Sequence, residues 1–333
     1  MRTSQSTLQP SKPITTTLTN PLPMTRIYNL DSDLFETQLL SPDGRYVLVF
    51  GPTDKVRLYE TLDFALRELP IEPEFLVRAV AFNLGNYDSP DYALTTSQCA
   101  LLSDDGSSLI RIDLRTMQLS KLRIRDGTVV AYGRENTIFL GTAGGELIMI
   151  DVYPSGELAI VDSPLAVSNF AIVHIAASHL DEDYAAVYCD DGQMFSVKML
   201  SRNATPVDPA SVELPGEFVS MLFHPYLPMF VMLRTGGYIS VSTPNFWLRL
   251  ILPQSSDSEH TLDALIPITE DRFLAVSTNQ VEELFVTQSV SEEVIATANI
   301  VFQVQDGYRI VAVTHVPSSW ETDVVVLTTS LSR

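Results

Sequence analysis

Residues 99–112 read CALLSDDGSSLIRI, two apolar runs on either side of the dipeptide Asp105-Gly106. A tight hairpin turn needs positive φ angles, which Gly, Asn and Asp adopt at low cost. The stretch therefore predicts two β-strands joined by a hairpin turn. Three similar dipeptides lie between apolar runs further along the chain: Gly144-Gly145, Asp191-Gly192 and Gly236-Gly237.

The strand that follows such a turn recurs at a regular interval. The recurring strands begin at Val56, Leu109, Leu147, Phe195, Tyr238 and Glu283. Five intervals cover the 227 residues from the first to the last of these positions, a mean of about 45 residues. β-Propeller blades of four strands have about 40 to 45 residues, whereas leucine-rich and ankyrin repeats are shorter. Because helical periodicity is nearly absent, the sequence predicts an all-β chain folded as a β-propeller.

Seven apolar runs precede the hairpins, and we interpret them as the inner strands of seven four-stranded blades. They cover residues 35–40, 77–82, 128–132, 171–176, 218–223, 261–266 and 308–314. The seventh blade then has only two strands at the C-terminal end, whereas two β-prone runs, 14–19 and 26–30, precede the first inner strand. We expect these N-terminal runs to complete the seventh blade as its third and outer strands. Such pairing would close the propeller and remove exposed sheet edges.

Length and composition fit a single domain of this kind. The chain has 333 residues, of which 45% are apolar, enough to bury a core without disulfides. Residues 1–13 are rich in Ser, Thr, Gln and Pro and are expected to form a flexible lead-in, with the propeller at 14–333. The end at residues 330–333 is compatible with an N-terminal domain of a longer chain.

Composition also excludes several classes of protein. The N-terminal residues lack the basic and apolar regions of a secretory signal, and Pro or polar residues interrupt every uncharged stretch, so we expect no membrane span. Two cysteines, Cys99 and Cys189, lack zinc-site spacing and fit a reducing cytosol or nucleus. The net charge of −20 repels polyphosphate, so general nucleic-acid binding is not expected.

No local motif for catalysis appears in the sequence. No His pair has metalloprotease spacing, and neither a phosphate-binding loop nor a Gly-x-Ser-x-Gly elbow is present. Apolar or acidic neighbours should raise the pKa of the thiols of Cys99 and Cys189. We therefore predict that the chain is not an enzyme and uses no cofactor or metal. The alternative is an enzyme or small-ligand binder with a site in the central channel, which His224 and His315 could approach from the ends of inner strands.

Acidic residues concentrate in the predicted turns between second and third strands. They are Asp54, Asp104, Asp105, Asp190 and Asp191, with Glu282 and Glu283 at the corresponding place in the sixth blade. Asp favours such turns for its side-chain hydrogen bonds alone. The functional interpretation is an acidic rim that attracts an Arg- or Lys-rich partner segment.

One stretch of the chain is basic. Its cations are Arg111, Arg115, Lys121, Arg123, Arg125 and Arg134, and they span the predicted outer strand of the second blade. Edge strands commonly carry cations that block edge pairing. The functional interpretation is a docking site for an acidic peptide, which could add a strand to this edge. Phe246 and Trp247, near another outer strand, form a candidate apolar anchor for a partner.

Residues 41–46, Ser-Pro-Asp-Gly-Arg-Tyr, resemble the turn after the inner strand in the WD40-type β-propeller superfamily, and residues 55–59 resemble its third strand. His224-Pro225 is a weaker match to the same turn. The chain departs from the family signature because it has no Gly-His pair and no Trp-Asp pair. The resemblance is therefore to a divergent member, for which six to eight blades stay open.

These features together predict a non-catalytic protein-interaction scaffold, a propeller subunit of a larger multiprotein complex. The resemblance implies an analogy with the divergent propellers of nuclear-pore and vesicle-coat assemblies. The expected partners are other proteins or peptide segments, and the expected location is the cytoplasm or the nucleus.

Overall fold

The structure is a computed structural model. The residues that it describes are 25–30, 37–51, 56–62, 65–69, 76–84, 97–134, 136–178, 180, 183–207, 216–224, 227, 229–242, 248–253, 262–269, 272–288, 294–317 and 322–331. The predicted lead-in at 1–13 and strand at 14–19, and the candidate residues Asp54, Phe246 and Trp247, lie outside this part of the chain.

The described part of the chain is all-β, as predicted. It contains twenty-eight strands, of which β1 is Thr25–Asn29, and one short 3-10 turn at Thr235–Gly237. The strands form six hydrogen-bonded sheets, one of which has eight strands. We number seven units in chain order as sheets 1 to 7, with the two halves of the eight-stranded sheet as sheets 5 and 6. Within sheets 1 to 6, consecutive strands are antiparallel neighbours, except that β14 pairs with β12 and not with β13.

The first four sheets each arise from one continuous segment. Sheet 1 contains β2 (Thr37–Leu40), β3 (Tyr46–Phe50), β4 (Arg57–Leu62) and β5 (Ala65–Leu69). Sheet 2 contains β6 (Val77–Phe82), β7 (Gln98–Ser103), β8 (Ser108–Asp113) and β9 (Gln118–Arg123). Sheet 3 contains β10 (Gly127–Tyr132), β11 (Thr137–Thr142), β12 (Glu146–Val152), β13 (Leu158–Ile160) and the short β14 (Leu165–Ala166), which also pairs with β12. Sheet 4 contains β15 (Ile172–Ala177), β16 (Tyr184–Cys189), β17 (Met194–Lys198) and β18 (Asn203–Val207).

In the remaining part of the chain, sheets 5 and 6 are hydrogen-bonded to each other, and sheet 7 includes the N-terminal strand β1. Sheet 5 contains β19 (Phe218–Phe223), β20 (Phe230–Arg234), β21 (Tyr238–Ser242) and β22 (Leu248–Pro253). Sheet 6 contains β23 (Leu262–Pro267), β24 (Arg272–Ser277), β25 (Gln280–Gln288) and β26 (Val294–Gln303), and β26 pairs with β22 in parallel. Sheet 7 contains β27 (Tyr308–Pro317), β28 (Thr322–Ser330) and β1.

The predicted inner strands are the first strands of the seven sheets. Their bounds are as predicted for β6 and β19 and differ by one to three residues in the others. First strands of different sheets also contact one another, including β6 with β10, β10 with β15, β15 with β19, and β2 with β27.

Apolar side chains fill both faces of the middle strands. All five residues of β3, Tyr46–Phe50, are buried. Leu48 packs in a cluster with sheet 2, whereas its neighbours Val47 and Val49 pack in a cluster with sheet 7. Because successive side chains of a strand point to opposite faces, a strand covered on both sides needs an unbroken apolar run.

Each sheet shares a buried apolar cluster with the next sheet in the chain. Six such clusters lie between sheets 1 and 2, 2 and 3, 3 and 4, 4 and 5, 5 and 6, and 6 and 7. A further cluster joins Val47 and Val49 of sheet 1 to Val325 and Leu327 of sheet 7, and it includes Tyr28 of β1. We call this last contact the first–last interface.

β1 pairs with the C-terminal hairpin, as expected, but it lies directly beside β28, so the prediction that residues 26–30 form the fourth, outer strand of this sheet is wrong. Its partner is β28, with Thr25 opposite Val324 and Asn29 opposite Thr328. The pairing is parallel, whereas the third strand of a four-stranded meander runs antiparallel to the second. A hairpin turn imposes the antiparallel direction, and no turn joins β28 to β1, so the direction of β1 is not constrained in this way.

Candidate protein-binding surfaces

The predicted turn at residues 104–106 joins β7 to β8 and uses one of its two aspartates internally. Oδ1 of Asp105 accepts hydrogen bonds from Oγ of Ser103 at 2.6 Å and from the backbone N of Ser107 at 3.0 Å. These hydrogen bonds lower the pKa of Asp105 to about 2. Gly106 follows with a φ of +68°, as the hairpin requires. Asp105 therefore stabilises the turn.

The turn at residues 190–192 repeats this arrangement between β16 and β17. Oδ1 of Asp191 accepts a hydrogen bond from the backbone N of Gln193 at 3.1 Å. In both turns the preceding aspartate, Asp104 or Asp190, is exposed. Asp104 has a cation nearby, because its Oδ1 lies 3.9 Å from Nε of Arg78. Asp105 and Asp191 are exposed as well, so each turn presents two aspartates, of which the second also stabilises the turn.

The prediction for the sixth blade is wrong. Glu282 and Glu283 lie within β25 and not in a turn. Glu283 is buried, and its Oε1 accepts a hydrogen bond from Nε of Arg272 at 2.8 Å. Oε1 of Glu282 accepts one from Nε2 of Gln280 at 3.1 Å. The turn falls before Gln280, and the arginine on β24 offsets the charge that the sequence alone leaves unpaired.

β9, the outer strand of sheet 2, carries exposed cations as the sequence predicts. Lys121 and Arg123 alternate with less exposed residues, and Leu119, 53% exposed, shares their face of the strand. Arg115 is exposed in the turn before β9, and Arg125 is exposed just after it. Four cations and one large apolar side chain therefore follow a single sheet edge.

Arg111 does not belong to this surface, so the predicted patch is wrong at this residue. It lies in β8, is 6% exposed and pairs with Ser120 of β9 on the face toward sheet 3. Leu109 on the same face packs against sheet 3, and Ile110 and Ile112 pack against sheet 1. The third strand is covered on both faces, which encloses the arginine between apolar layers.

Arg134 is also separate from the β9 edge. It follows β10 of sheet 3, and its Nη1 donates a hydrogen bond to the backbone O of Leu180 at 3.1 Å. The basic stretch of the sequence is thus divided among an exposed edge, a buried position and a contact with the segment between β15 and β16.

The two cysteines are buried, and so are His224 and His315, the candidate residues of the channel hypothesis. Burial raises the pKa of Cys99 to about 12 and also raises that of Cys189, as predicted. His224 is fully buried, and burial lowers its pKa to about 4. Its Nδ1 accepts a hydrogen bond from the backbone N of Leu227 at 3.2 Å. His315 is buried in β27. Burial therefore favours the neutral forms of these side chains, as expected for residues that pack in the core.

Sequence reasoning did not find the residues that gather around Arg111. They are Tyr132 of β10, Ser120 of β9 and Gly156 of the turn after β12. The signal available was the position of a single arginine between Ile110 and Ile112, which indicates a strand without an exposed face. We call the contact between sheets 2 and 3 the Arg111 interface.

No family model matches the chain, and no curated protein matches it. Across the described ranges, no helix is long and apolar enough to span a bilayer. The same ranges contain no group of three His, Cys, Asp or Glu side chains that could hold a metal ion.

Proposed function

We propose that the chain is a closed, seven-bladed β-propeller of the divergent WD40 type. The circular order of the apolar clusters supports this, because each sheet packs on the next and sheet 7 packs on sheet 1. A repeat of about 45 residues allows one blade for each sheet. In this proposal β1 adds a strand to the seventh blade and covers the edge of β28.

The proposed function is that of a non-catalytic scaffold that binds other proteins within a larger complex. The observation that carries this proposal is the β9 edge, where Arg115, Lys121, Arg123 and Arg125 are exposed together with Leu119. A basic edge on a chain with a net charge of −20 favours an acidic partner segment by steering its approach. The apolar residue adds contact area that a purely electrostatic patch lacks.

The setting of this scaffold is proposed by resemblance. Divergent propellers serve in nuclear-pore and vesicle-coat assemblies, and this chain has similar turns and blade spacing. We place it on that basis in the cytoplasm or nucleus, without a cofactor and without direct binding to nucleic acid.

The test begins with the tagged chain purified from its own cells and with mass spectrometry of stoichiometric partners. The association rate of the purified partner is then measured at two ionic strengths for the wild type and for Arg115→Glu, Arg123→Glu and Arg125→Glu combined. We expect association to slow by about tenfold or more at low salt and the difference to shrink at high salt. The free energy of unfolding should change by less than about 1 kcal/mol.

A matched control reverses three exposed cations elsewhere, Arg45, Arg67 and Lys198, with the same change in net charge. This control should associate at nearly the wild-type rate. If Asp104→Lys with Asp190→Lys slows association instead, the partner binds the turns and the β9 assignment fails. Equal rates for all variants, or no stoichiometric partner, would contradict the scaffold proposal.

A further inference from the structure

Arg111 is buried without a compensating carboxylate. Its residue exposure is 6%, and no carboxylate oxygen of the described residues lies within ion-pair distance of its guanidinium. Its Nε and the hydroxyl of Tyr132 are buried and do not meet hydrogen-bond geometry, although the two side chains lie close enough to interact with each other. Removing a cation from water is costly unless a partner offsets its charge. The unoffset position indicates a group kept for an interaction outside this chain.

The guanidinium reaches the outer end of the Arg111 interface. A Cβ placed on Gly156 would lie 3.3 Å from Nη1 of Arg111, 3.3 Å from Oγ of Ser120 and 3.8 Å from Nε2 of Gln118. Gly156 has a φ of +87° in the turn that leads to β13. Three hydrogen-bonding side chains from two neighbouring strands therefore converge on a turn whose glycine leaves space above them.

Apolar residues border the same place. β13 contacts β9, and Leu158 of β13 packs in the apolar cluster of this interface together with Leu122 of β9. Ile160, two residues beyond Leu158 and on the same face of β13, is 44% exposed. An aliphatic side chain of a partner would find a surface there beside the arginine.

We propose that this site binds the carboxylate of an Asp or Glu side chain in a partner segment that lies over the contact between β9 and β13. The planar guanidinium of Arg111 suits a carboxylate, with Ser120 and Gln118 as further donors. Lys121 and Arg123 on β9 would attract the acidic segment to this edge. The inference rests on the proposed scaffold function and assigns its partner class and specificity-determining residue.

The test uses a phage-displayed library of random twelve-residue peptides selected against the full chain. We expect enriched peptides to contain Asp or Glu beside Leu, Ile or Val. For a synthetic peptide from this pool, replacing the acidic residue with its amide should weaken binding to the wild type about 30-fold or more. This comparison needs no protein variant and so does not depend on how substitutions affect folding.

Two protein variants then locate the contact. Arg111→Met should abolish peptide binding with a melting temperature equal to or above that of the wild type, because methionine removes the uncompensated charge. Arg67→Met, which loses the same charge from an exposed position in β5 of sheet 1, should weaken binding less than about threefold.

A pool without acidic residues, a peptide indifferent to the Glu→Gln or Asp→Asn exchange, or equal binding by Arg111→Met would overturn the site. A marked fall in the melting temperature of Arg111→Met would assign the residue to folding and also overturn it. The scaffold proposal would survive any of these results if the β9 reversals still slowed the native partner.

Discussion

Two contacts between neighbouring sheets differ in what they bury. The first–last interface packs Val47 and Val49 against Val325 and Leu327, all with at most 1% exposure. The Arg111 interface has an equally apolar interior but places an arginine without a carboxylate partner at its outer end. Residues that only stabilise the fold can all be apolar. Burying Arg111 therefore costs the second contact some free energy of folding. Such a cost is expected at a residue that is needed for binding.

One turn at each of the two interfaces has the same Ser–Asp hydrogen bond, but the pKa of the aspartate shifts in opposite directions. In the turn at residues 41–46, Oγ of Ser41 donates to Oδ1 of Asp43 at 2.6 Å, as Ser103 does to Asp105. Burial nevertheless raises the pKa of Asp43, whereas hydrogen bonds lower that of Asp105. Pro42 accepts a hydrogen bond from Oγ1 of Thr314 of sheet 7, which holds the first turn against its neighbour. In the same turn motif, the pKa of the aspartate is thus raised where the turn is buried and lowered where the turn is exposed.

The largest effect is expected from removing β1. Deletion of residues 1–30 takes away Tyr28 and exposes the edge of β28. We expect aggregation or a loss of about 3 kcal/mol or more in the free energy of unfolding, since burying one large apolar side chain alone contributes about 1.5–3 kcal/mol. Size-exclusion chromatography and thermal melting measure both outcomes.

The matched control deletes residues 1–13, the predicted lead-in, and leaves β1 in place. It should melt within a few degrees of the full chain. A monomeric chain with unchanged melting after the longer deletion would show that β1 contributes little.

A core truncation in the first–last interface ranks second. Leu327 is fully buried, so Leu327→Ala should lower the free energy of unfolding by about 2–5 kcal/mol through lost burial and the resulting cavity. Urea unfolding followed by fluorescence gives this value. A cost below about 1 kcal/mol would mean that the interface is loosely packed and that the contrast drawn above is wrong.

The corresponding change in the Arg111 interface should cost almost nothing. Tyr132→Phe removes a buried hydroxyl that lies near Arg111 but does not meet hydrogen-bond geometry with any described residue. We expect the free energy of unfolding to stay the same or to rise by up to about 1 kcal/mol, because a buried polar group without a partner is unfavourable. A loss of more than about 1 kcal/mol in the same urea assay would show that the hydroxyl is bonded in solution.

The smallest expected effect is a difference between the two turns in how their aspartates make stability depend on pH. Asp105 has a folded-state pKa of about 2, below its ordinary value of 3.8, so its stabilising contribution is present above pH 4 and is lost as the pH falls toward 2. Asp105→Asn should therefore be less stable than the wild type at pH 7 and equal to it near pH 2.

Asp43 should behave in the opposite way. Its folded-state pKa is raised, so ionisation costs stability once the pH rises above 3.8, and Asp43→Asn removes that cost. We expect this variant to match or exceed the wild type at pH 7. Urea unfolding from pH 2 to 7 tests both variants, and parallel pH profiles would contradict the comparison.

Much of the strand order could be predicted because turns and apolar runs are local signals. The inner strands at 77–82 and 218–223, and the hairpin at 104–106, follow from residues adjacent in the chain. The prediction for Glu283 failed because its partner, Arg272, lies on another strand. Nothing in a single sequence states which side chains will meet across a sheet.

The candidate site was less predictable for a related reason. The exposed cations Arg115, Lys121 and Arg123 could be predicted from the sequence, since they lie in one edge strand or in the turn before it. Arg111 was assigned to the same surface because charge was considered along the chain and not by face. The alternation of side chains along a strand places Arg111 on the same face of β8 as Leu109. The sheet that covers this face, however, is set by tertiary packing and not by the local sequence.

The pairing of β1 with β28 has a consequence for synthesis of the chain. Tyr28 accepts a hydrogen bond from Thr328, 300 residues further on. At about 5–20 residues per second, a ribosome takes roughly 15–60 s to produce that partner. During this time β1 and the face of sheet 1 that carries Val47 and Val49 lack their covering strand. The nascent chain should therefore depend on chaperones until its last strand emerges.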